Sequence, residues 1–439
     1  GSTLNGVTDV RGYNDFAEPT AYSVTHNAAP LYHFQLERDK LGRITRKVET
    51  IGGVSGVYSY TYDLAGRLAS VLMNGLVSEA YTYDANGNRL SAGGSGGVTA
   101  GVYDAQDRLL QYGAATYQHT GAGELATKTA GAQITTYDYD ELGNLLGVTL
   151  PDGTAITYLV DGENQRIGKR VNGVLVQRFL YEGNLRPSAE FDGGGALVSR
   201  FVYATRANVP DYMIKGGETY RILTDHLGSP RLVVNAATGV IAQRLDYDTF
   251  GSVVMDTNPG FQPFGFAGGL YDPGTKLVRF GARDYDAETG RWTARDPILF
   301  AGGQANLYIY AHADPLNRTD RLGLGDDAPG GMSGPGGVCI AGSDPYGDGL
   351  NPDDALPKLM REGDWLFDPT TGEWMATSLI PSWSAQNIFD FFWEKVAGKL
   401  AGSGIAGLAG NLINLEDDSG GRSPGARENR CRQDKNQCE

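Results

Sequence analysis

The 439-residue chain carries a formal net charge of −15, with 41% hydrophobic and 20% charged residues, 63 glycines and 24 tyrosines. That charge argues against a nucleic-acid-coating surface, which needs clustered Lys and Arg against phosphate, though not against a local basic patch, and the length calls for two or more structural units or a repeat array with a tail. Cysteines occur only at 339, 431 and 438, so no disulfide scaffold builds the first 324 residues.

In chain order, Gly1-Ser2 reads as a tag remnant, and no basic leader followed by an apolar core opens the sequence, so an export route is not visible. Residues 1–31 show no clear period and are expected to form an irregular N-terminal segment. From Tyr32 a phrase recurs: Asp39-Lys40-Leu41-Gly42-Arg43, Tyr62-Asp63-Leu64-Ala65-Gly66-Arg67, Tyr83-Asp84-Ala85-Asn86-Gly87-Asn88 and Tyr103-Asp104-Ala105-Gln106-Asp107-Arg108. Starts lie about 20 residues apart, the spacing of a short-repeat array. Later copies begin at Tyr139, Val160, Asp225 and Tyr247. Each copy reads as strand, turn, strand. Alternation such as Val57-Tyr58-Ser59-Tyr60-Thr61-Tyr62 puts aromatics on one face, and Asp followed by Gly closes a turn. One hairpin cannot bury its face alone, so neighbours must stack into a long curling sheet.

These phrases resemble the YD repeats of the RHS family. The stretch from Tyr285 to Gly325 similarly resembles the RHS-associated core, with Tyr-Asp-x-x-Thr-Gly-Arg-Trp, Arg-Asp-Pro-Ile, Asn-Leu-Tyr-x-Tyr and a terminal Asp-x-Leu-Gly-Leu. The resemblance implies an all-β chain: a YD-repeat β-shell, a spiral cocoon in part or whole, with an inward core plug and a small mixed or disordered C-terminal tail. The expected divisions are 1–31, a shell over 32–270, the core over 271–324 and a variable C-terminal region over 325–439. The family's shell holds a C-terminal polypeptide, usually a toxin, which an aspartyl-type self-cleavage separates from it. The repeats here are fewer than a full cocoon uses, so further repeats or another shell subunit are expected partners, because an open sheet edge invites pairing.

Two buried carboxylates sharing a proton can hydrolyse a peptide bond without a metal or a Ser or Cys nucleophile, one activating water while the other protonates the carbonyl oxygen. Asp296, Asp314 and Asp320 all sit on turns upstream of Leu324-Gly325, although Asp on a turn commonly does no more than cap it. The resemblance carries self-cleavage onto Asp296 and Asp320, with Asp314 in reserve, Arg295 as charge partner and Leu324-Gly325 as the scissile bond. Gly323 and Gly325 would let the backbone approach the carboxylates without a Cβ collision. Arg321 follows Asp320 where the family has Pro, and an adjacent cation favours the ionised carboxylate. Trp292 and Tyr308-Ile309-Tyr310 are read as packing groups. His226 is read as a turn or packing residue and Ser229 as lacking a base, against a Ser-His hydrolase. The histidines show no metal-ligand spacing, and neither metal nor cofactor is expected.

After Gly325 comes a Gly/Pro/Asp linker over 326–337. Two short strands are expected around the turn in 364–374, and an acidic loop rather than a calcium site near Asp344, Asp348, Asp353 and Asp354. A helix is expected over 385–415, shorter in uninterrupted apolar length than a membrane span. The tail has no histidine, which removes His-dependent nuclease motifs and the His-Cys-Cys deaminase zinc site. The leading expectation is a secreted or cell-surface bacterial shell that encapsulates and releases its own toxin segment, with a secretion apparatus and an immunity protein as partners and no nucleic acid for the shell. The alternatives are a non-enzymatic adhesion shell with a structural plug, and a shell carrying a membrane-contacting, pore-forming tail.

Overall fold

The computed structural model describes residues 1–325 apart from Ser95, Asn184 and Ala207, together with two strands at Trp365–Asp368 and Glu373–Ala376. The chain divides into two compact units, Gly1–Gly342 and Ser343–Glu439. In the second unit the two strands pair antiparallel with Trp365 opposite Ala376, the hairpin expected there. The expected linker, acidic loop and helix, and all three cysteines, lie outside the described residues.

In the first unit, 25 strands from Ser2–Leu4 to Val253–Asp256 form one antiparallel sheet. Each strand pairs with its neighbours in the chain, as in the run from Ile44–Ile51 through Val54–Tyr62 and Leu68–Met73 to Leu76–Tyr83. The sheet is not closed: Ser2–Leu4 and Val253–Asp256 each pair on one side.

The recurring phrase explains the repeat. The register slips at its tyrosine, between Thr61 and Tyr62, Thr82 and Tyr83, and Val102 and Tyr103, so a bulge sharpens the strand's twist just before the turn. The tyrosine then reaches back one repeat. Tyr62 Oη donates to the Ile44 carbonyl (2.6 Å), Tyr83 to Leu68 (2.8 Å), Tyr103 to Arg89 (2.9 Å) and Tyr181 to Arg166 (3.1 Å). The aspartate closes the turn on itself. Asp63 Oδ1 accepts the amides of Ala65 and Arg67 (both 2.9 Å), and Oδ2 pairs with the Arg67 guanidinium (2.7 Å). Turns on the opposite rim are tight two-residue connections such as Asn74-Gly75, with positive φ at both residues. Because loops of a meander alternate between rims, the Asp39, Asp63, Asp84, Asp104, Asp140 and Asp161 turns all fall on one rim.

Residues 1–31, expected to be irregular, instead supply three ladder strands, Ser2–Leu4, Val7–Tyr13 and Pro19–His26, and begin a fourth. The phrase is disguised there: Asn14 replaces Asp as the turn acceptor, and Ala17 takes the positive φ that Gly holds elsewhere. The sheet curls until its early strands pack on late ones. Val24, Phe34 and Leu68 share a core with Leu223, Leu232 and Val234, and Gly6 N–H donates to the Ala236 carbonyl (3.2 Å).

The segment after Val253–Asp256 forms a small sheet of Leu270–Tyr271, Leu277–Phe280, Arg283–Asp286 and Arg291–Trp292. Its core joins Phe266, Phe280, Tyr285, Trp292 and Tyr310, so the aromatics act as the packing groups expected of them. This plug docks on the aspartate-turn rim. Arg291 donates to Asn88 Oδ1 (2.7 Å) and to the Asp107 carbonyl, and Arg279 to Asn144 Oδ1 (2.8 Å) and the Asn164 carbonyl (3.1 Å). Arg166 forks onto both oxygens of Asp284 (2.8 and 3.0 Å). The last turn positions of the repeats are thus also the sockets for the plug.

Candidate functional site

The site lies where the plug's strand Arg283–Asp286 meets the chain's run to Gly325. Arg283, 3% exposed in its side chain, places Nη2 2.8 Å from Asp296 Oδ2 and 3.0 Å from Asp320 Oδ2. One guanidinium nitrogen thus joins both carboxylates. The same side chain donates from Nε to the Gly323 carbonyl (2.5 Å), from Nη1 to the Leu307 carbonyl (3.2 Å), and lies 4.2 Å from the Trp292 ring centroid.

The carboxylates also hold backbone. Asp296 Oδ1 accepts the Ile298 amide (3.0 Å), and Asp320 Oδ1 accepts the Leu324 amide (3.0 Å), with the Gly325 amide acting on the same carboxylate. Burial pushes Asp320 up to about 7, against the pull of Arg283 and the two amides. Burial also raises Asp296, again partly offset by Arg283. Two carboxylates so close titrate as a pair.

Glycines make room at the junction. A Cβ on Gly302 would lie 2.8 Å from both Asp296 Oδ2 and the Leu324 carbonyl oxygen, so these two oxygens share one gap against Gly302. Gly323 has φ +67°, and a Cβ there would meet the Phe280 carbonyl at 2.5 Å. The Leu322 carbonyl completes the seating by accepting the Ala282 amide (2.9 Å). Leu322 and Leu324 border a cavity of about 140 Å³ together with Arg321, Arg279 and Tyr181.

The structure thus brings together Asp296, Asp320, Gly323, Leu324 and Gly325. Arg295 is exposed, and Arg283 occupies the position between the carboxylates. Asp314 is held elsewhere. Its two oxygens accept from Asn317 Nδ2 (2.8 and 3.0 Å), and Asn317 binds Tyr62 Oη and the Ile44 amide on the rim (both 2.8 Å). Burial raises Asp314 to about 6. Ser229 Oγ accepts the Ala267 amide (3.0 Å) and His226 Nε2 faces the Leu316 carbonyl (2.8 Å), so both are packing and turn residues. Burial lowers His226 to about 4. Among the described residues no cluster of His, Cys, Asp and Glu suits a metal ion, and no helix is long and apolar enough to cross a membrane.

A family model, teneurin YD-shell, matches residues 2–316. The chain belongs to that family. It is 32% identical to teneurin-3 of Danio rerio over 307 residues, which cover 66% of this chain and 11% of that protein. It is 31% identical over 318 residues to double-stranded DNA deaminase toxin A of Burkholderia cenocepacia (strain H111), covering 63% of this chain and 21% of that one. The match therefore spans only a small part of either relative. Among solved structures, the crystal structure of TcdB2-TccC3-TEV superposes with a TM-score of 0.52 at 17% identity, over 73% of this chain and 18% of that one, a likeness of fold. The protein is a YD-repeat shell.

Proposed function

We propose that this chain closes a YD-shell that holds its own C-terminal segment, and that the Asp296–Asp320 pair separates the two by cutting Leu324-Gly325. One observation carries the reading: two buried carboxylates meet on a single guanidinium at the backbone of that bond. In the reaction, water attacks the Leu324 carbonyl carbon and gives a proton to ionised Asp296, whose Oδ2 shares the Gly302 gap with that carbonyl. Asp320, which burial keeps protonated up to about 7, passes its proton to the Gly325 nitrogen as the C–N bond breaks. The products are a Leu324 carboxylate and a Gly325 amine.

The named toxin relative supports a toxin-associated shell, and the likeness to TcdB2-TccC3-TEV supports the shell fold. Partners on this reading are the chain's own residues 325–439, further repeats at the unpaired sheet edges, a secretion apparatus and an immunity protein, in a secreted or cell-surface setting. The competing reading makes the plug a structural latch in an adhesion shell. It is favoured by the saturation of Arg283, which could hold the two carboxylates as an ion-paired lock alone.

Intact mass of the purified chain decides. Two fragments dividing after Leu324 in the wild type, with one full-length species for Asp296→Asn and Asp320→Asn, are expected. A full-length wild type, indistinguishable from both variants, would overturn the self-cleavage reading in favour of the latch.

A further inference from the structure

We infer that Arg283 is the positioning residue of the carboxylate pair, setting both the distance between Asp296 and Asp320 and the position of the segment they cut. This rests on the self-cleavage reading and adds to it a residue on the plug strand Arg283–Asp286, which contains neither aspartate.

The geometry makes three separate demands on this side chain. Nη2 must touch both Oδ2 atoms, which places the two carboxylates around one nitrogen. Nε must hold the Gly323 carbonyl, one residue before Leu324, which fixes how far the chain slides past the pair. Nη1 must hold the Leu307 carbonyl, and that same carbonyl also accepts the Asp296 amide (3.0 Å), so the guanidinium is tied to the Asp296 backbone as well as its side chain. Only a planar, forked cation meets three such directions at once, and an ammonium is a single point. The Trp292 ring fixes the plane of the fork at 4.2 Å.

The charge matters as much as the shape. Two ionised carboxylates and one guanidinium would leave a net negative site in a buried place, which favours retention of one proton on the pair. Without the cation, both carboxylates would be held in their protonated form to higher pH, and the base would be missing. The groups acting here are Asp296, Asp320 and Arg283 themselves, with the amides of Ile298, Leu324 and Gly325 against the carboxylates. Arg283 contacts the chain on the Leu324 side of the scissile bond, so it serves the approach and not the departure of the tail.

The test follows self-cleavage of the full chain made by cell-free synthesis, sampled over time by intact mass at pH 5 to 9. Arg283→Lys is expected to slow the cut by about a hundredfold, the scale of an ångström-size misplacement of reacting groups. Its rise in rate from acid pH, which reports ionisation of the base, is expected to move to higher pH. Arg283→Ala is expected to remain uncut, and guanidinium ion at tens of millimolar, below denaturing levels, to restore cleavage to it but not to Asp296→Asn. Thermal unfolding of each variant confirms a folded shell.

Cleavage of Arg283→Ala at the wild-type rate would overturn the inference. So would a folded, uncut Arg283→Ala that guanidinium fails to restore together with an Arg283→Lys profile unmoved in pH, since that pattern belongs to a purely structural residue. If Asp296→Asn and Asp320→Asn also cut normally, it is the self-cleavage reading that falls. If they block the cut while the Arg283 variants do not, only the role given to Arg283 falls.

Discussion

The shell and the plug use the same residue for opposite ends. In the shell, Asp39 and Asp104 are partly open to solvent and close their turns on themselves. Burial nudges each upward, but the side chain and amide of the following arginine, Arg43 or Arg108, outweigh it and hold the carboxyl below its ordinary value. In the plug, Asp296, Asp314 and Asp320 are sealed from water, and burial wins, raising all three. Asp39 and Asp104 are therefore favoured as anions, whereas burial favours the protonated form of Asp296, Asp314 and Asp320. Residue type does not decide between scaffold and chemistry; the supply of donors relative to burial does.

The comparison breaks most completely with Asp320→Asn. Cleavage is expected to vanish, while Asp104→Asn in the shell leaves the cut intact, both read by intact mass. The pH dependence comes next. If Asp320 is the acid of the proposed cut, the rate should fall as pH rises through about 7, and it should also fall toward acid as Asp296 loses its charge, as a time course across pH checks. Stability has a definite sign. Asp314 and Asp320 bind protons more tightly folded than unfolded, so the stabilisation from those protons is full below the ordinary carboxyl value of 3.8. It is lost as pH rises through about 6 and about 7. Uncut Asp296→Asn should accordingly melt at a higher temperature at pH 5 than at pH 8, and Asp314→Asn should flatten part of that slope.

Smaller effects test the docking and the repeat. Arg291→Ala strips buried Asn88 of a charged donor and should cost about 2–3 kcal/mol by denaturant unfolding. Tyr83→Phe removes one hydroxyl bond to the previous repeat and should cost about 1 kcal/mol. Arg46→Ala, which breaks an exposed cross-strand pair with Glu37, should change stability by at most a few tenths of a kcal/mol.

The array was legible because its signal repeats: a tyrosine, an aspartate and a glycine at a fixed step define a bulge and a turn whatever surrounds them. Residues 1–31 escaped because Asn14 and Ala17 do the same physical work with different letters. Asp296 and Asp320 were legible as turn residues of a recognisable core. Arg283 was not, since it lies 13 residues before Asp296 and 37 before Asp320 and nothing local in Gly281-Ala282-Arg283-Asp284-Tyr285-Asp286 says which way its arginine faces. Arg295 drew attention through adjacency to Asp296, yet neighbours in extended chain point to opposite sides, and the buried aspartate leaves its arginine outside. Asp314 resembled the other two in sequence, and only Asn317 reveals that it belongs to the rim.

The tyrosine bonds that reach back one repeat impose a rule of parity on this architecture. Each of these tyrosines finds its acceptor at the start of the preceding strand, just past the previous aspartate turn, and the aspartate turns of the phrase recur on every second loop. Removing a single strand would exchange the rims for everything downstream, turning sockets away from the plug and inward faces outward. Removing a pair would leave every later bond in place. Such a shell can lengthen or shorten by whole repeats without redesigning its cap, and half a repeat is the one length change it cannot absorb.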